Sequence, residues 1–270
     1  MNEEKFFEGV AALKLMAKKE IGQNFLIDPR AAERIVNSLE AKEGEKILEI
    51  GCGAGSLTYF LSSLPCHVDA IDIDEGMLTK VQGDFEGIDN LHIQYGNAAK
   101  WDYSSYDKII GNLPYYITTL LIENCLLGAS KASKFVFMVQ KEAATRLLAG
   151  PGTKDYGPLN VYLALSGKLK RQFNVGRNSF SPIPHVDSAV LSIDLDQNRD
   201  KEFLKQVYRF ASSMFSKRRK TILNNLKSYL HDEQKALDAL DKAKIEKNRR
   251  PDAITPAEYS SLFSSLIEVK

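Results

Sequence analysis

Between residues 46 and 194 short β-rich runs alternate with helical stretches, and this alternation constrains the fold more than any other feature of the chain. The runs are KILEIG (46–51), HVDAID (67–72), LHIQY (91–95), DKIIG (107–111), KFVFMV (134–139) and SAVLSID (188–194). Strands separated by helix-length segments do not pair as tight hairpins, so the pattern predicts an α/β fold, a mostly parallel sheet flanked by helices. Ahead of it, Asp28 and Pro29 pair an N-cap with proline at the first helical position. The spacing of Ala32, Ile35, Val36 and Leu39 carries that helix to about Glu40. Residues 194–202 (DLDQNRDKE) are polar and no strand pattern follows, which sets a domain boundary. Residues 1–195 are thus read as one domain and residues 196–270 as a second, helical one. Its helices fall at 203–215, 217–230, 233–244 and from Pro256, where Thr255 and Glu258 have capping-box spacing.

The first strand runs directly into Gly51-Cys52-Gly53-Ala54-Gly55, and Ser56-Leu57-Thr58 opens a helix. Glycines there let backbone approach a ligand at the carboxyl edge of the sheet, where doubly wound folds bind nucleotides. The spacing is GxGxG, and Ser56 stands where a dinucleotide fingerprint has its third glycine or alanine, which argues against NAD. Asp72 ends the next strand roughly twenty residues on, placed to accept hydrogen bonds from both hydroxyls of a ribose. Asp74 follows it. Either acid by itself reads equally as a polar strand end; loop and acid together favour an adenosyl ligand. No GxxxxGK[ST] loop is present, which disfavours a nucleoside triphosphatase or kinase.

Asn112-Leu113-Pro114-Tyr115 follows the strand DKIIG. These residue types suit one demanding reaction, alkylation of the exocyclic amine of adenine, a poor nucleophile because its lone pair is delocalised into the ring. An Asn112 amide oxygen and a Leu113 backbone carbonyl can accept the two N–H bonds and favour a pyramidal nitrogen. Pro114 presets the backbone, and Tyr115 offers a flat face on which the base stacks. The methylated amine is acidic enough to lose its proton to water, so no strong base is needed. Such a site takes a base removed from its stack, hence a single-stranded, loop or flipped adenosine. Phe180, in SFSPIPHVDSAV (179–190), reads either as the aromatic closing the other face of that base or as a core side chain beneath a proline-stiffened loop.

Net charge is only +1, from 36 basic against 35 acidic residues, so any nucleic-acid surface must be local. Residues 214–227 (MFSKRRKTILNNLK) hold five basic residues and no acid, and Lys242, Lys244, Lys247, Arg249 and Arg250 form a second group. Such runs serve phosphate binding or simply a solvated face. On a continuous helix over 217–230, Lys217, Lys220, Asn224 and Lys227 share one side, the expected RNA face. Ile222, Leu223, Leu226 and Leu230 share the other, with Arg219 projecting among them as a structural arginine. Cys52, Cys66 and Cys125 form no disulfide framework, and His67, His92, His185 and His231 are too dispersed to hold a metal. No apolar run nears the roughly 20 residues of a membrane span, and residues 1–20 carry no signal pattern. These features fit a cytosolic, unprocessed monomer with no metal.

Together the motifs resemble the rRNA adenine N6,N6-dimethyltransferase family, and within it the bacterial KsgA type. The resemblance runs through residues 22–26 (GQNFL), 48–58 (LEIGCGAGSLT), NLPY, 138–161, 179–190, 215–226 (FSKRRKTILNNL) and 249–259. It implies a class I S-adenosylmethionine-dependent methyltransferase, Rossmann-like with a small C-terminal helical domain. It also implies dimethylation of two adjacent adenosines near the 3′ end of 16S rRNA in the small ribosomal subunit, contributing to ribosome biogenesis. The implied cofactor contacts fall on Asn24 and Leu26 for the methionine end, Gly51 and Gly53 in the loop, Asp72 for the ribose, Asn97 for the adenine edge, and Asn112. Tyr115 and Phe180 would enclose the target base. Four positions depart from the family pattern: Cys52 for proline, Asn97 for aspartate, Tyr116 for asparagine and Leu120 for proline. The Erm type, which methylates large-subunit rRNA, and a primary role in small-subunit assembly are the alternative readings. A DNA adenine methyltransferase fits less well, since that group has aspartate where Asn112 stands.

Overall fold

A computed structural model describes residues 2–16 and 23–267 of the 270. Gly22, the first residue of the GQNFL motif, lies outside the described residues. The strands are β1 (Phe25–Leu26), β2 (Lys46–Ile50), β3 (His67–Asp72), β4 (Leu91–Tyr95), β5 (Lys108–Asn112), β6 (Lys134–Gln140), β7 (Gly167–Val175), β8 (Phe180–Ser181) and β9 (Ser188–Leu195). The helices are α1 (Glu3–Ala12), α2 (Pro29–Asn37), α3 (Ser56–Leu61), α4 (Glu75–Asp84), α5 (Thr118–Gly128), α6 (Lys141–Leu147), α7 (Pro158–Ser166), α8 (Lys201–Phe215), α9 (Ile222–Leu230), α10 (Glu233–Lys242) and α11 (Pro256–Ile267).

The chain divides into two compact units, the first comprising Met1–Ala144 and Leu169–Leu195, the second Thr145–Lys168 and Asp196–Lys270. The sequence boundary near residue 195 therefore captures only one of the crossings. The sequence pattern assigns residues 145–168 to the first domain, whereas α7 places Val161 in the helical core with Val207 of α8 and Leu262 of α11.

The first unit carries a sheet ordered β4-β3-β2-β5-β6-β9-β7. From β4 to β6 neighbouring strands are parallel, and β9 runs antiparallel to β6. All six expected strands are present. The seventh, β7, was not expected, because GKLKRQFNV is largely polar and mostly exposed. Strand order turns back at β2, which has β3 on one side and β5 on the other, so a crevice opens at the carboxyl ends of β2 and β5. Gly111 sets how closely those strands approach, since a Cβ there would stand 2.5 Å from the Ile50 carbonyl oxygen. A separate ribbon pairs β1 with β8, Leu26 opposite Phe180. At the opposite edge of the sheet two buried lysines are neutralised in place. Lys108 Nζ lies 2.9 Å from a Glu45 carboxylate oxygen, and Lys134 Nζ is 2.6 Å from Glu40 and 3.1 Å from Asp194.

In the second unit, α7 to α11 close around Tyr156, Phe210, Met214, Leu226, Leu240 and Tyr259. The capping box is present: the Glu258 N–H donates to Thr255 Oγ1 at 3.2 Å, and the Thr255 N–H to Glu258 Oε2 at 2.7 Å. Arg249 also pairs with Glu258 and holds its carboxyl down to about 2. The expected helix over 217–230 is corrected. Residues 216–220 form a turn, and α9 starts only after its N-cap Thr221, whose side chain accepts from Asn224 N–H. The buried Asn225 amide closes that turn by donating to the Lys217 and Lys220 carbonyls, each at 3.4 Å.

Candidate active site

A cavity of about 310 Å³ opens at the carboxyl ends of β2 to β5. The main chain after β2 turns through Gly51, Gly53 and Gly55 with φ of 73°, 52° and 88°, a region closed to most side-chain-bearing residues. The Gly51 N–H donates to the Ile71 carbonyl at 2.8 Å, fastening the loop to β3. Asp72, at the end of β3, accepts from the Gly53 N–H at 2.8 Å and from the Asp74 N–H at 2.9 Å. Burial nevertheless raises its carboxyl above the usual range, the two amides opposing the shift. Asp74 caps α4 and accepts from Gln23 Nε2 at 2.9 Å, so Gln23 ties the segment before β1 to the floor of the site.

After β4 the Asn97 side chain accepts from Ala99 N–H at 2.9 Å, capping a single 3-10 turn at the cavity wall. Gly96 is required by packing: a Cβ there would come within 2.7 Å of the Trp101 ring. After β5, Asn112 Nδ2 donates to the Asn24 carbonyl at 3.4 Å, which leaves the Asn112 amide oxygen as the acceptor of that group. The Leu113 N–H is held by the Met138 carbonyl at 3.0 Å, and Thr118 Oγ1 donates to the Pro114 carbonyl at 3.0 Å, so the tetrapeptide is rigidly mounted. The Tyr115 hydroxyl hydrogen-bonds Ser188 Oγ at 3.0 Å, fixing its ring.

Asn24, Leu26, Gly51, Gly53, Asp72, Asn97, Asn112, Leu113, Pro114 and Tyr115 all line this one cavity. Phe180 does not. It is 1% exposed and packs in the core with Phe25 and Leu26, because its pairing with Leu26 turns the proline-stiffened loop inward. Of its two readings, the core side chain is the one realised. The basic residues also need correction. Lys217 and Lys220 are exposed on the turn before α9 rather than on a helix, Asn224 is exposed on α9, and Lys227 pairs with Glu233 at 2.7 Å. Arg219, expected to be inward, is exposed. Arg218 is the structural arginine, bonded to Asp252 at 3.1 Å and to the Lys154 and Thr153 carbonyls at 2.6 and 2.8 Å.

Glu49 and Ile73 also line the cavity and were not singled out from the sequence. Glu49 is the one charged residue within the apolar part of KILEI, and that was the available signal. Burial pushes its carboxyl up to about 7, with the Asp72 charge adding to the effect and a 2.6 Å hydrogen bond from Thr58 Oγ1 opposing it. The folded state therefore holds this proton more tightly than the unfolded chain. The contribution of Glu49 to stability declines as pH rises from about 4.5 to about 7 and is level above that. Glu49→Gln removes this dependence. In denaturant titrations, the stability of the variant relative to the parent should rise by roughly 2 to 3 kcal/mol between pH 5 and pH 8. A difference that does not move with pH would mean that Glu49 ionises like a solvated carboxyl.

Among the described residues no cluster of His, Cys, Asp or Glu is arranged to hold a metal ion, and no helix is long and apolar enough to cross a membrane. The sheet, its reversal at a glycine loop and the acid closing the next strand define a class I S-adenosylmethionine-dependent methyltransferase fold. A dimethyladenosine transferase from Plasmodium falciparum superposes with a TM-score of 0.76 at 26% identity, over 89% of this chain and 96% of that one. The 23S rRNA methyltransferase ErmE shares the fold, with a TM-score of 0.69 at 23% identity over 90% and 100% of the two chains. In sequence, Ribosomal RNA small subunit methyltransferase A of Pseudomonas fluorescens (strain Pf0-1) is 34% identical, over 93% of this chain and 94% of its own. The model of the family described as Ribosomal RNA adenine dimethylase matches residues 14–268, and the chain belongs to that family.

Proposed function

We propose that this protein transfers methyl groups from S-adenosylmethionine to N6 of two adjacent adenosines near the 3′ end of 16S rRNA, dimethylating each within the small ribosomal subunit. The observation that carries the reading is the convergence of the glycine loop, Asp72 and the Asn112-Tyr115 tetrapeptide on one cavity. Its residues suit the cofactor. Glycines at positive φ expose backbone to it, and a bound cation would stabilise the ionised forms of the two buried carboxyls, Glu49 and Asp72, whose burial otherwise opposes ionisation. S-adenosylmethionine supplies there a methyl group made electrophilic by its sulfonium.

Asp72 holds the ribose while also clamping the loop through Gly53. Asn97 faces the adenine edge, and the exposed Ile73 side chain gives it an apolar wall. Asn24 and Leu26 serve the methionine end. The Asn112 amide oxygen, oriented by the bond from its nitrogen to Asn24, and the Leu113 carbonyl accept from the target amine and favour its pyramidal form. Tyr115 stacks on the target base with its ring fixed by Ser188. The proton from the methylated nitrogen passes to water. The protein works as a cytosolic monomer.

In the second unit, the exposed turn bearing Lys217, Arg219 and Lys220, with Asn224 beside it on α9, contacts rRNA phosphates. Lys227, engaged by Glu233, contributes less. Changing Lys217, Arg219 and Lys220 together to glutamine should weaken small-subunit binding at constant cofactor affinity. The dependence of log affinity on log salt should flatten by roughly one unit per lost contact. An unaltered slope removes this turn from the interface. The function itself is tested by incubating the protein with methyl-labelled S-adenosylmethionine and, separately, with undermethylated small and large subunits. Label in small-subunit adenosine supports the reading; label confined to the large subunit supports the Erm type.

A further inference from the structure

We infer that Tyr116 is a stacking platform at the mouth of the cavity, holding the base that neighbours the target adenosine in the same RNA strand. The inference rests on the rRNA-methylating reading of the cavity and adds a residue to it.

Tyr115 and Tyr116 are consecutive, yet the structure treats them differently. Tyr115 is half-buried, its hydroxyl anchored on Ser188. Tyr116 also borders the cavity but leaves 59% of its surface open, so its ring stands at the mouth. Leu120, four residues on in α5, is 44% exposed. Two large side chains thus stand in water along residues 116–120, of which Tyr116 borders the cavity and Leu120 lies beyond its lining. The backbone beneath is fixed: the Ile117 N–H donates to the Pro114 carbonyl at 3.3 Å, and Thr118 Oγ1 holds the same carbonyl. The held backbone fixes where the exposed ring is anchored, which limits the entropy lost when a base docks on it.

An adenosine drawn into the cavity leaves its strand neighbours at the rim. With the target base taken from its stack, the adjacent base has lost one stacking partner, and an aromatic ring at the mouth replaces it. Every base has a π face, so the contact adds affinity and sets the depth of insertion without dictating sequence.

The test compares the parent, Tyr116→Ala and Tyr116→Phe on undermethylated small subunits, with cofactor affinity measured by calorimetry. It adds an RNA oligonucleotide carrying 2-aminopurine beside the target adenosine. Stacking on Tyr116 predicts a rise in KM for the subunit of roughly tenfold in the alanine variant, kcat within about twofold, and recovery by phenylalanine. Cofactor affinity stays unchanged. The 2-aminopurine fluorescence, quenched when the parent binds, stays high with Tyr116→Ala and is quenched again with Tyr116→Phe. Unchanged KM and quenching in Tyr116→Ala overturn the inference, as does a loss confined to cofactor affinity, which would place the ring inside the cavity. A parent that methylates no subunit adenosine would instead refute the underlying reading.

Discussion

Replacing Asn112 by alanine should lower the rate of methyl transfer by about 10² to 10³, the usual consequence of deleting one preorganised polar group that acts on developing charge. Cofactor affinity should change far less. The expectation follows from how Asn112 is mounted. It ends β5 opposite Met138, its amide nitrogen is committed to the Asn24 carbonyl at 3.4 Å, and the oxygen remains to accept from the substrate amine. Alanine removes that acceptor and leaves the strand pairing intact. Asn112→Asp keeps an oxygen but loses the orienting bond, so it should recover only part of the rate. Single-turnover transfer at saturating cofactor, alongside calorimetry, separates the two effects. A loss smaller than about tenfold would take Asn112 out of the chemistry.

Asp72→Ala should weaken S-adenosylmethionine binding by about 2 to 3 kcal/mol, roughly a hundredfold, through loss of a charge-assisted hydrogen-bond pair to the ribose. The structure adds a second consequence. The same carboxylate holds the Gly53 and Asp74 amides at 2.8 and 2.9 Å, so alanine also orphans two backbone donors, the one on Asp74 buried. A fall in unfolding stability on the order of 1 to 3 kcal/mol should accompany the affinity loss. Asp72→Asn keeps an acceptor for only one of those two amides, since each bonds a different oxygen, and should recover part of the stability while leaving affinity low. Calorimetry and denaturant unfolding on both variants distinguish ligand contact from loop support, and unchanged affinity in Asp72→Ala would contradict the ribose assignment.

Features that depend on local pattern were readable without coordinates. The parallel strands, the strand–glycine loop–helix unit and the Thr255–Glu258 box each lie within a short window, and all occur as expected. What escaped depends on distant partners. The two-residue strands β1 and β8 exist only because residues 25–26 and 180–181 meet, and that meeting sends Phe180 into the core. The periodicity over 217–230 continues through a turn that Asn225 closes from within the segment and Arg218 ties to residues 153, 154 and 252. With α9 starting five residues later, Arg218 rather than Arg219 turns inward. In the active site, glycine spacing and NLPY located the cavity. The competing commitments of its polar groups, Asp72 to the loop and the Asn97 oxygen to Ala99, appear only when the chain is folded.

The most direct test of the account is nucleoside mass spectrometry of small-subunit rRNA from cells lacking this protein, and from the same cells supplied with the parent or with Asn112→Ala. The account predicts N6,N6-dimethyladenosine with the parent and its absence both without the protein and with the variant. Dimethyladenosine persisting in the small-subunit rRNA of cells without the protein would contradict it.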